Sequence, residues 1–202
     1  QGRKPYVIPE GGSNALGSLG YVLAAKELLE QARSLGVDLR RIVHATGSGG
    51  TTAGLALGCA VYGRPDVDVL GVAVCDDRSY FDRRVNEILD QAVGLWYVDP
   101  DQREAARFEI VEGYQGRGYA KTTPEEMAAL AAVARREGLL LDPVYTGKAF
   151  LGLLGLARAG RFAGPGATVR VPPTSHDRTV IVREPAQAPR TLGEVDVVFP
   201  LL

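Results

Sequence analysis

The residues best suited to chemistry form a run of glycine and hydroxyl side chains from Thr46 to Thr52, with the sequence TGSGGTT. Glycines let the backbone approach an anion closely and adopt positive φ. Successive N–H groups can then point at one spot, and a helix that follows adds roughly half a positive charge at its N-terminus. Ser48, Thr51 and Thr52 add hydroxyl donors. The run therefore predicts a phosphate-binding loop, with a tight structural turn as the alternative.

The spacing of the glycines excludes two common phosphate-binding motifs. No lysine follows the last glycine, as it would in a P-loop. The third glycine is misplaced for the dinucleotide fingerprint, and no acidic residue closes the next strand convincingly. Taken alone, the loop predicts a phosphate site without identifying the ligand.

The loop is positioned by a chain that alternates short β-like runs with helical patterns. The predicted strands are Tyr6–Ile8, Ile42–Val43, Val67–Val74, Trp96–Val98 and Phe108–Val111. The predicted helices are Ala15–Ser34, Thr51–Tyr62, Tyr80–Ala92, Pro124–Glu137 and Gly147–Ala159. This alternation predicts an α/β domain with a mostly parallel sheet flanked by helices.

The end of the chain has a different character. From Ala163 to Leu202 the periodicity fades, and six of the twelve prolines lie in this stretch. Val180–Val182 and Val195–Phe199 could form strands, but no helical pattern joins them. We therefore predict an α/β domain over residues 1–162 and a divergent, poorly structured tail over residues 163–202.

Composition and charge exclude several classes of partner. The formal net charge is −1 with mixed signs along the chain, which gives no basis for binding nucleic acid or an anionic membrane. No apolar stretch approaches the roughly 18 residues of a membrane span, and no secretory signal is visible, so we expect a cytoplasmic protein. Cys59 and Cys75 are interpreted as buried free thiols. His44, placed at a strand end, and His176 in the tail are isolated, so we predict no metal site.

Four segments resemble the family of D-cysteine desulfhydrases and 1-aminocyclopropane-1-carboxylate deaminases. They are Pro5–Gly17, His44–Gly54, Gly113–Tyr119 and Leu141–Ala149, and they occur in family order over residues 1 to about 162. The resemblance implies the type II pyridoxal-phosphate (PLP) fold, similar to the tryptophan synthase β subunit and incomplete in this chain. It also implies PLP as cofactor, a small amino acid as substrate, a role in amino-acid metabolism and a homodimer.

The resemblance also implies roles for individual residues. The predicted cofactor-binding residues are Gly47, Ser48, Gly49, Gly50 and Thr51 at the phosphate and Thr146 at the ring nitrogen. Tyr145 and Tyr119 would lie near the substrate as catalytic residues that transfer protons or orient groups. The pKa of a free tyrosine is about 10, so a base role would need strong tuning.

Neighbouring positions carry further expectations. Asn14 is interpreted as a helix cap and Lys148 as a structural residue. Ala120 follows Tyr119 where the family usually has glycine. Thr146 resembles the desulfhydrase side of the family, since the deaminase side usually has glutamate there. A neutral hydroxyl would leave the ring nitrogen largely unprotonated, which suits β-elimination from D-cysteine to pyruvate, ammonia and sulfide. 1-Aminocyclopropane-1-carboxylate is the alternative substrate.

Two departures from the family pattern limit this interpretation. The family attaches PLP to a lysine in a motif with glycine and asparagine, and none of Lys4, Lys26, Lys121 and Lys148 lies in such a motif. From about residue 170 the family pattern is lost, and we expect that stretch to be foreign to the fold. The chain begins at Gln1 and is interpreted as a C-terminal fragment. We expect it to be inactive alone. The alternatives to a PLP-dependent lyase or deaminase are a non-catalytic remnant and an anion- or PLP-binding module.

Overall fold

The computed structural model describes residues 2, 4–96, 98–162, 168–170, 179–180 and 195–198. Its α-helices are α1 (Ala15–Ser34), α2 (Gly50–Val61), α3 (Arg78–Trp96), α4 (Pro100–Ala105), α5 (Pro124–Glu137) and α6 (Thr146–Arg158). Its strands are β1 (Arg41–Thr46), β2 (Asp68–Ala73), β3 (Phe108–Val111), β4 (Thr168–Arg170), β5 (Thr179–Val180) and β6 (Val195–Val198). A short 3₁₀ turn at Glu10–Gly12 precedes α1.

The strands form one six-stranded sheet in the order β3-β2-β1-β6-β4-β5. Every pairing is parallel except that of β4 with β5. In the register of β1 and β2, Arg41 faces Asp68 and Thr46 faces Ala73, so both strands end at the same edge. Ligands of open parallel sheets bind outside the carboxyl ends of the strands. The loop that begins at Thr46 is therefore at the edge where a site is expected.

Two hydrophobic cores cover the two faces of the sheet. Ile42 and Val69 pack with buried residues of α1, α2 and α3. Val43 and Leu70, the next residues in each strand, pack with Phe150 and other residues of α6 on the opposite face. Adjacent residues of a strand point to opposite faces of the sheet. Because both faces are buried, the apolar run of β2 is nearly continuous.

The predicted α/β architecture with a parallel sheet is confirmed. Asn14 caps α1 by accepting a hydrogen bond from the Gly17 N–H, as expected. Thr123 caps α5 through a reciprocal capping box with Glu126. Where the sequence carried an explicit capping signal, the predicted helix start agrees with the structure.

Two of the predicted strands are wrong. Tyr6–Ile8 forms no strand, and its side chains are 72–78% exposed, so no sheet face buries them. Trp96 ends α3, because the apolar face of that helix continues through buried Leu89 and Ala92 and outweighs the β propensity of the aromatic residue. Tyr97 lies outside the described residues, and Val98 is not in a strand.

Parts of the last forty residues contribute to the sheet. β6 falls within the predicted strand region Val195–Phe199 and pairs in parallel with β1, whereas β5 overlaps the predicted region Val180–Val182 only at Val180. His176 and most of the predicted tail lie outside the described residues. The division at residue 162 stays a prediction. Among the described residues, no helix is long and apolar enough to cross a membrane.

Candidate active site

The glycine loop connects β1 to α2 in the way its sequence predicts. Gly49 has φ 88°, a left-handed conformation that favours glycine, and α2 begins at Gly50. The Thr52 hydroxyl donates a hydrogen bond of 3.0 Å to Thr46 Oγ1 in the interior. Thr52 is fully buried, so the prediction that it adds a hydroxyl donor is wrong: the hydroxyl ties the helix start to the strand end.

Several amides of this loop are available to an acceptor. The Gly50 N–H donates to Ser13 Oγ at 3.2 Å. Within the described part of the chain, the N–H groups of Ser48, Gly49 and Thr51 have no hydrogen-bond partner. Unpaired backbone donors that lie in a partly buried loop are costly, and an anion can satisfy them. The loop therefore fits a phosphate group.

Ser13 is a neighbour of this loop that sequence reasoning missed. Its side chain is 2% exposed, and its hydroxyl donates to Ser48 Oγ at 2.6 Å. Arg84 of α3 donates from Nη2 to the Ser13 carbonyl at 2.6 Å, which fixes the segment before α1. The contact joins residues 35 positions apart, so no local pattern could have revealed it.

The loop borders a cleft of about 480 Å³. Its lining residues are Glu10, Gly11, Tyr21, Ala45, Gly47, Ser48, Thr51, Tyr119, Asp142, Tyr145 and Thr146. The structure thus brings together both predicted catalytic tyrosines and four of the six predicted cofactor-binding residues. Gly49 and Gly50 are buried and are not among the lining residues.

The two predicted catalytic tyrosines contact each other across the cleft. The hydroxyls of Tyr119 and Tyr145 are 2.6 Å apart, and the rings meet edge to face with centroids 5.8 Å apart. This hydrogen bond, helped by partial burial, raises the pKa of Tyr145 to about 12. The shift holds the Tyr145 hydroxyl in its neutral form, which is opposite to the tuning that a base would need.

Asp142 organises the start of α6 beneath these rings. Its Oδ1 accepts the N–H groups of Val144 and Tyr145, at 2.8 and 2.7 Å. Its Oδ2 accepts both the N–H and the hydroxyl of Thr146, at 2.8 and 2.5 Å. Burial raises the pKa of the Asp142 carboxyl, but these hydrogen bonds outweigh burial and hold the pKa below its ordinary value. Asp142 was not predicted as a site residue, although its short spacing from Thr146 is typical of a helix-capping acid.

A family model described as "Pyridoxal-phosphate dependent enzyme" matches residues 1–172, which is most of the 202-residue chain. The chain belongs to this pyridoxal-phosphate dependent enzyme family. The predicted type II fold is confirmed by a solved relative, described as an "ACC deaminase homologue". That structure is 35% identical, superposes with a TM-score of 0.66, and is matched over 98% of this chain and 49% of its own length.

Curated members of the pyridoxal-phosphate dependent family are also similar. A protein of Klebsiella pneumoniae (strain 342) named D-cysteine desulfhydrase is 41% identical over 82% of this chain and 49% of its own length. An Arabidopsis thaliana protein is 44% identical over 76% of this chain and 37% of its own length. Its name is "Bifunctional D-cysteine desulfhydrase/1-aminocyclopropane-1-carboxylate deaminase, mitochondrial". The chain thus spans half or less of the length of these relatives.

Lys148 lies two positions after the cleft residue Thr146, but it is buried and is not among the residues that line the cleft. Its ammonium donates to the carbonyls of Val74, Gln115 and Gly118, at 3.1, 2.6 and 2.8 Å. The side chain is 1% exposed. Three acceptors use all three donors of the ammonium, which confirms the structural interpretation of Lys148. The residue ties the segment before Tyr119 to the end of β2.

Ala120 lies at the position after Tyr119 where the family resemblance predicts glycine, and its backbone has a conformation that favours glycine. Among the described non-glycine residues, it alone has a left-handed backbone, with φ 55°. The methyl group of alanine makes this conformation costly by about 1–2 kcal/mol. Ala120 directly follows Tyr119, so the strain is located next to a cleft residue.

We expect Ala120→Gly to raise the free energy of unfolding by about 0.5–1 kcal/mol, because relief of strain exceeds the entropy that glycine adds to the unfolded chain. Urea unfolding measures the change. Ala128→Gly is the matched control, because Ala128 is exposed inside α5 and should cost about 1 kcal/mol. Equal losses in both variants would contradict the strain at Ala120.

The remaining candidate groups are not assembled into a site. Cys59 is buried as predicted, whereas Cys75 is only partly buried and donates to the Gly47 carbonyl at 3.5 Å. Burial raises the pKa of Cys59 to about 12 and that of Cys75 to about 11, so neither is a ready thiolate. His44 lies inside β1 rather than at its end. Among the described residues, no three metal-ligating side chains cluster.

Proposed function

We propose that the cleft binds PLP. The amides of Ser48, Gly49 and Thr51 would hold the phosphate at the N-terminus of α2. Thr146 would face the ring nitrogen. The observation that carries this proposal is that Ser48 and Thr51, whose amides are unpaired, line one cleft with Thr146 in a chain of the pyridoxal-phosphate dependent family.

We propose proton-holding and orienting roles for the two tyrosines. PLP, when bound, withdraws electrons from the α-carbon of an amino acid and makes its proton easier to remove. Because its raised pKa keeps Tyr145 neutral, its hydroxyl would donate a hydrogen bond to the substrate or return a proton to it. Tyr119, 2.6 Å away, would fix the direction of that hydroxyl.

We propose that the protein as a whole acts on a small amino acid, with D-cysteine as first candidate. The reaction would be β-elimination to pyruvate, ammonia and sulfide. The similarity to the Klebsiella protein named D-cysteine desulfhydrase supports this assignment. Deamination of 1-aminocyclopropane-1-carboxylate is the second candidate, because the Arabidopsis relative bears both names. A homodimer and a cytoplasmic location complete the proposal.

We propose that this chain alone is inactive. No lysine is among the residues that line the cleft in the described part of the chain. Lys148, two positions from Thr146, has all its donors occupied by carbonyls. Incubation with D-cysteine should therefore release no sulfide above the rate of free PLP. Sulfide release that Tyr145→Phe abolishes would contradict this statement.

The binding proposal is tested by a charge placed in the loop. Thr51 is partly buried, lines the cleft and lies in the first turn of α2. Thr51→Asp should weaken PLP binding at least tenfold, because its carboxylate repels the phosphate. An acid is favourable in the first turn of a helix, so folding should be preserved. Equilibrium dialysis of PLP against each protein measures the dissociation constant.

Thr51→Asn is the matched control, since it has the same shape as aspartate without the charge. It should change the affinity for PLP by less than threefold. Pyridoxal, which lacks the phosphate, should bind more weakly than PLP and should be insensitive to Thr51→Asp. Equal affinity of the wild-type chain for PLP and pyridoxal would refute a phosphate site in this loop.

A further inference from the structure

The hydroxyl of Thr146 has one proton and two lone pairs to distribute. Oδ2 of Asp142 lies 2.5 Å from Thr146 Oγ1. Thr146 Oγ1 also accepts the Asp142 N–H, at 3.0 Å. One lone pair of Thr146 is then left for a ligand in the cleft.

The direction of the hydrogen bond between these side chains follows from the other contacts of the carboxylate. The two oxygens of Asp142 already accept three backbone N–H groups, from Val144, Tyr145 and Thr146. A carboxylate surrounded by donors is ionised and can only accept. The proton between Asp142 and Thr146 therefore belongs to the threonine hydroxyl, which donates it to Asp142.

We infer that Asp142 is a positioning residue that makes Thr146 a hydrogen-bond acceptor towards the cleft, so that the site selects a ligand ring nitrogen that carries a proton. This inference rests on the proposed function, because it assigns the ring nitrogen of PLP to the position of Thr146. It reverses the expectation from sequence that a threonine here leaves the ring nitrogen unprotonated. The negative charge of Asp142 would stabilise the protonated ring nitrogen through the hydroxyl of Thr146.

The inference widens the proposed class of substrate. A protonated ring withdraws electrons more strongly than a neutral one. The site is then not restricted to amino acids that carry a good β-leaving group. A threonine at this position is compatible with both reactions in the names of the relatives.

Asp142→Asn reverses the polarity of the hydroxyl with little change of shape. The amide oxygen faces the N–H groups of Val144 and Tyr145, and this orientation leaves only the Thr146 N–H without an acceptor. The flipped amide would leave the N–H groups of both Val144 and Tyr145 without one. In the favoured orientation the NH₂ group donates to Thr146 Oγ1. The Thr146 proton is displaced towards the cleft, where it would favour an unprotonated ring nitrogen.

The test uses pyridoxamine 5′-phosphate labelled with ¹⁵N in the ring, which needs no lysine to bind. The ¹⁵N chemical shift, followed against pH, reports protonation of the ring nitrogen in the bound ligand. With the wild-type chain, the ring should keep its proton to a pH at least one unit above that of the free ligand. Asp142→Asn should change the protonation equilibrium at least tenfold in the opposite direction.

Thr146→Val provides the control for an effect that passes through the hydroxyl. In the Thr146→Val background, Asp142→Asn should change ring protonation by less than twofold. An equal change in both backgrounds would overturn the inference, because Asp142 would then act without Thr146. An unshifted ring nitrogen in the bound wild-type complex would also overturn it. Failure of the wild-type chain to bind pyridoxamine 5′-phosphate would instead overturn the proposed function, and with it this inference.

Discussion

Lys148→Met should lower the free energy of unfolding by about 3–5 kcal/mol. Methionine fills the same space, but it leaves the carbonyls of Val74, Gln115 and Gly118 without the donor that Lys148 supplies. Each buried acceptor that loses its partner costs about 1–3 kcal/mol. Urea unfolding followed by far-UV circular dichroism measures the loss.

Lys121→Met is the matched control, because Lys121 is exposed in the same region of the chain. It should change the stability by less than about 0.5 kcal/mol. Limited proteolysis adds a local measurement, since release of Gln115 and Gly118 should make the segment before Tyr119 the first site of cleavage. Equal stability of the Lys148→Met and Lys121→Met variants would show that the three carbonyls do not depend on the ammonium.

His44 should make the protein lose about 3 kcal/mol of stability as the pH falls from 7 to 4. Burial lowers the pKa of His44 from 6.5 to about 4, and a hydrogen bond between Nδ1 and the Ala45 carbonyl opposes this only partly. Within the described part of the chain, Nε2 has no partner. The unfolded chain takes up a proton near pH 6.5, whereas the folded chain resists it until about pH 4. Stability is therefore complete above pH 6.5 and is lost between these two values.

His44→Leu isolates this contribution, because every carboxylate remains in both proteins. The difference in unfolding free energy between wild type and His44→Leu should shift in favour of the leucine variant by about 3 kcal/mol between pH 7 and pH 4. Urea unfolding at several pH values measures the difference. Parallel pH profiles of the two proteins would show that the folded protein protonates His44 as readily as the unfolded chain does.

The sequence was a reliable guide where one residue has a local physical reason to stand where it does. Asn14 and Thr123 mark helix starts because their side chains satisfy N–H groups within three residues. Trp96 misled, because β propensity is a weak preference that an amphipathic helix overrides. Tyr6–Ile8 misled because a strand needs a partner, and a run of apolar residues does not say whether one is present.

Prediction of the candidate site followed the same division. The glycine loop was found because its residue types are required by its own backbone, as the φ of Gly49 shows. Ser13 and the anchoring of Lys148 were not predictable in detail, since both depend on contacts between segments distant in the chain. The position of Asp142 could be predicted from its spacing before α6. The direction of its hydrogen bond to Thr146 could not, because it follows from the three backbone N–H groups that the carboxylate also accepts.

The contact between Ser13 and Ser48 orients the hydroxyl dipoles of the loop. The Gly50 amide donates to Ser13, and Ser13 donates to Ser48, so the donors in this chain all point the same way. The Ser48 hydroxyl is the last donor in this chain of hydrogen bonds, and its hydrogen is left for a ligand in the cleft. A cation there would face a donor instead of an acceptor. Ser13 thus preorganises the loop for a negatively charged ligand without contacting that ligand itself.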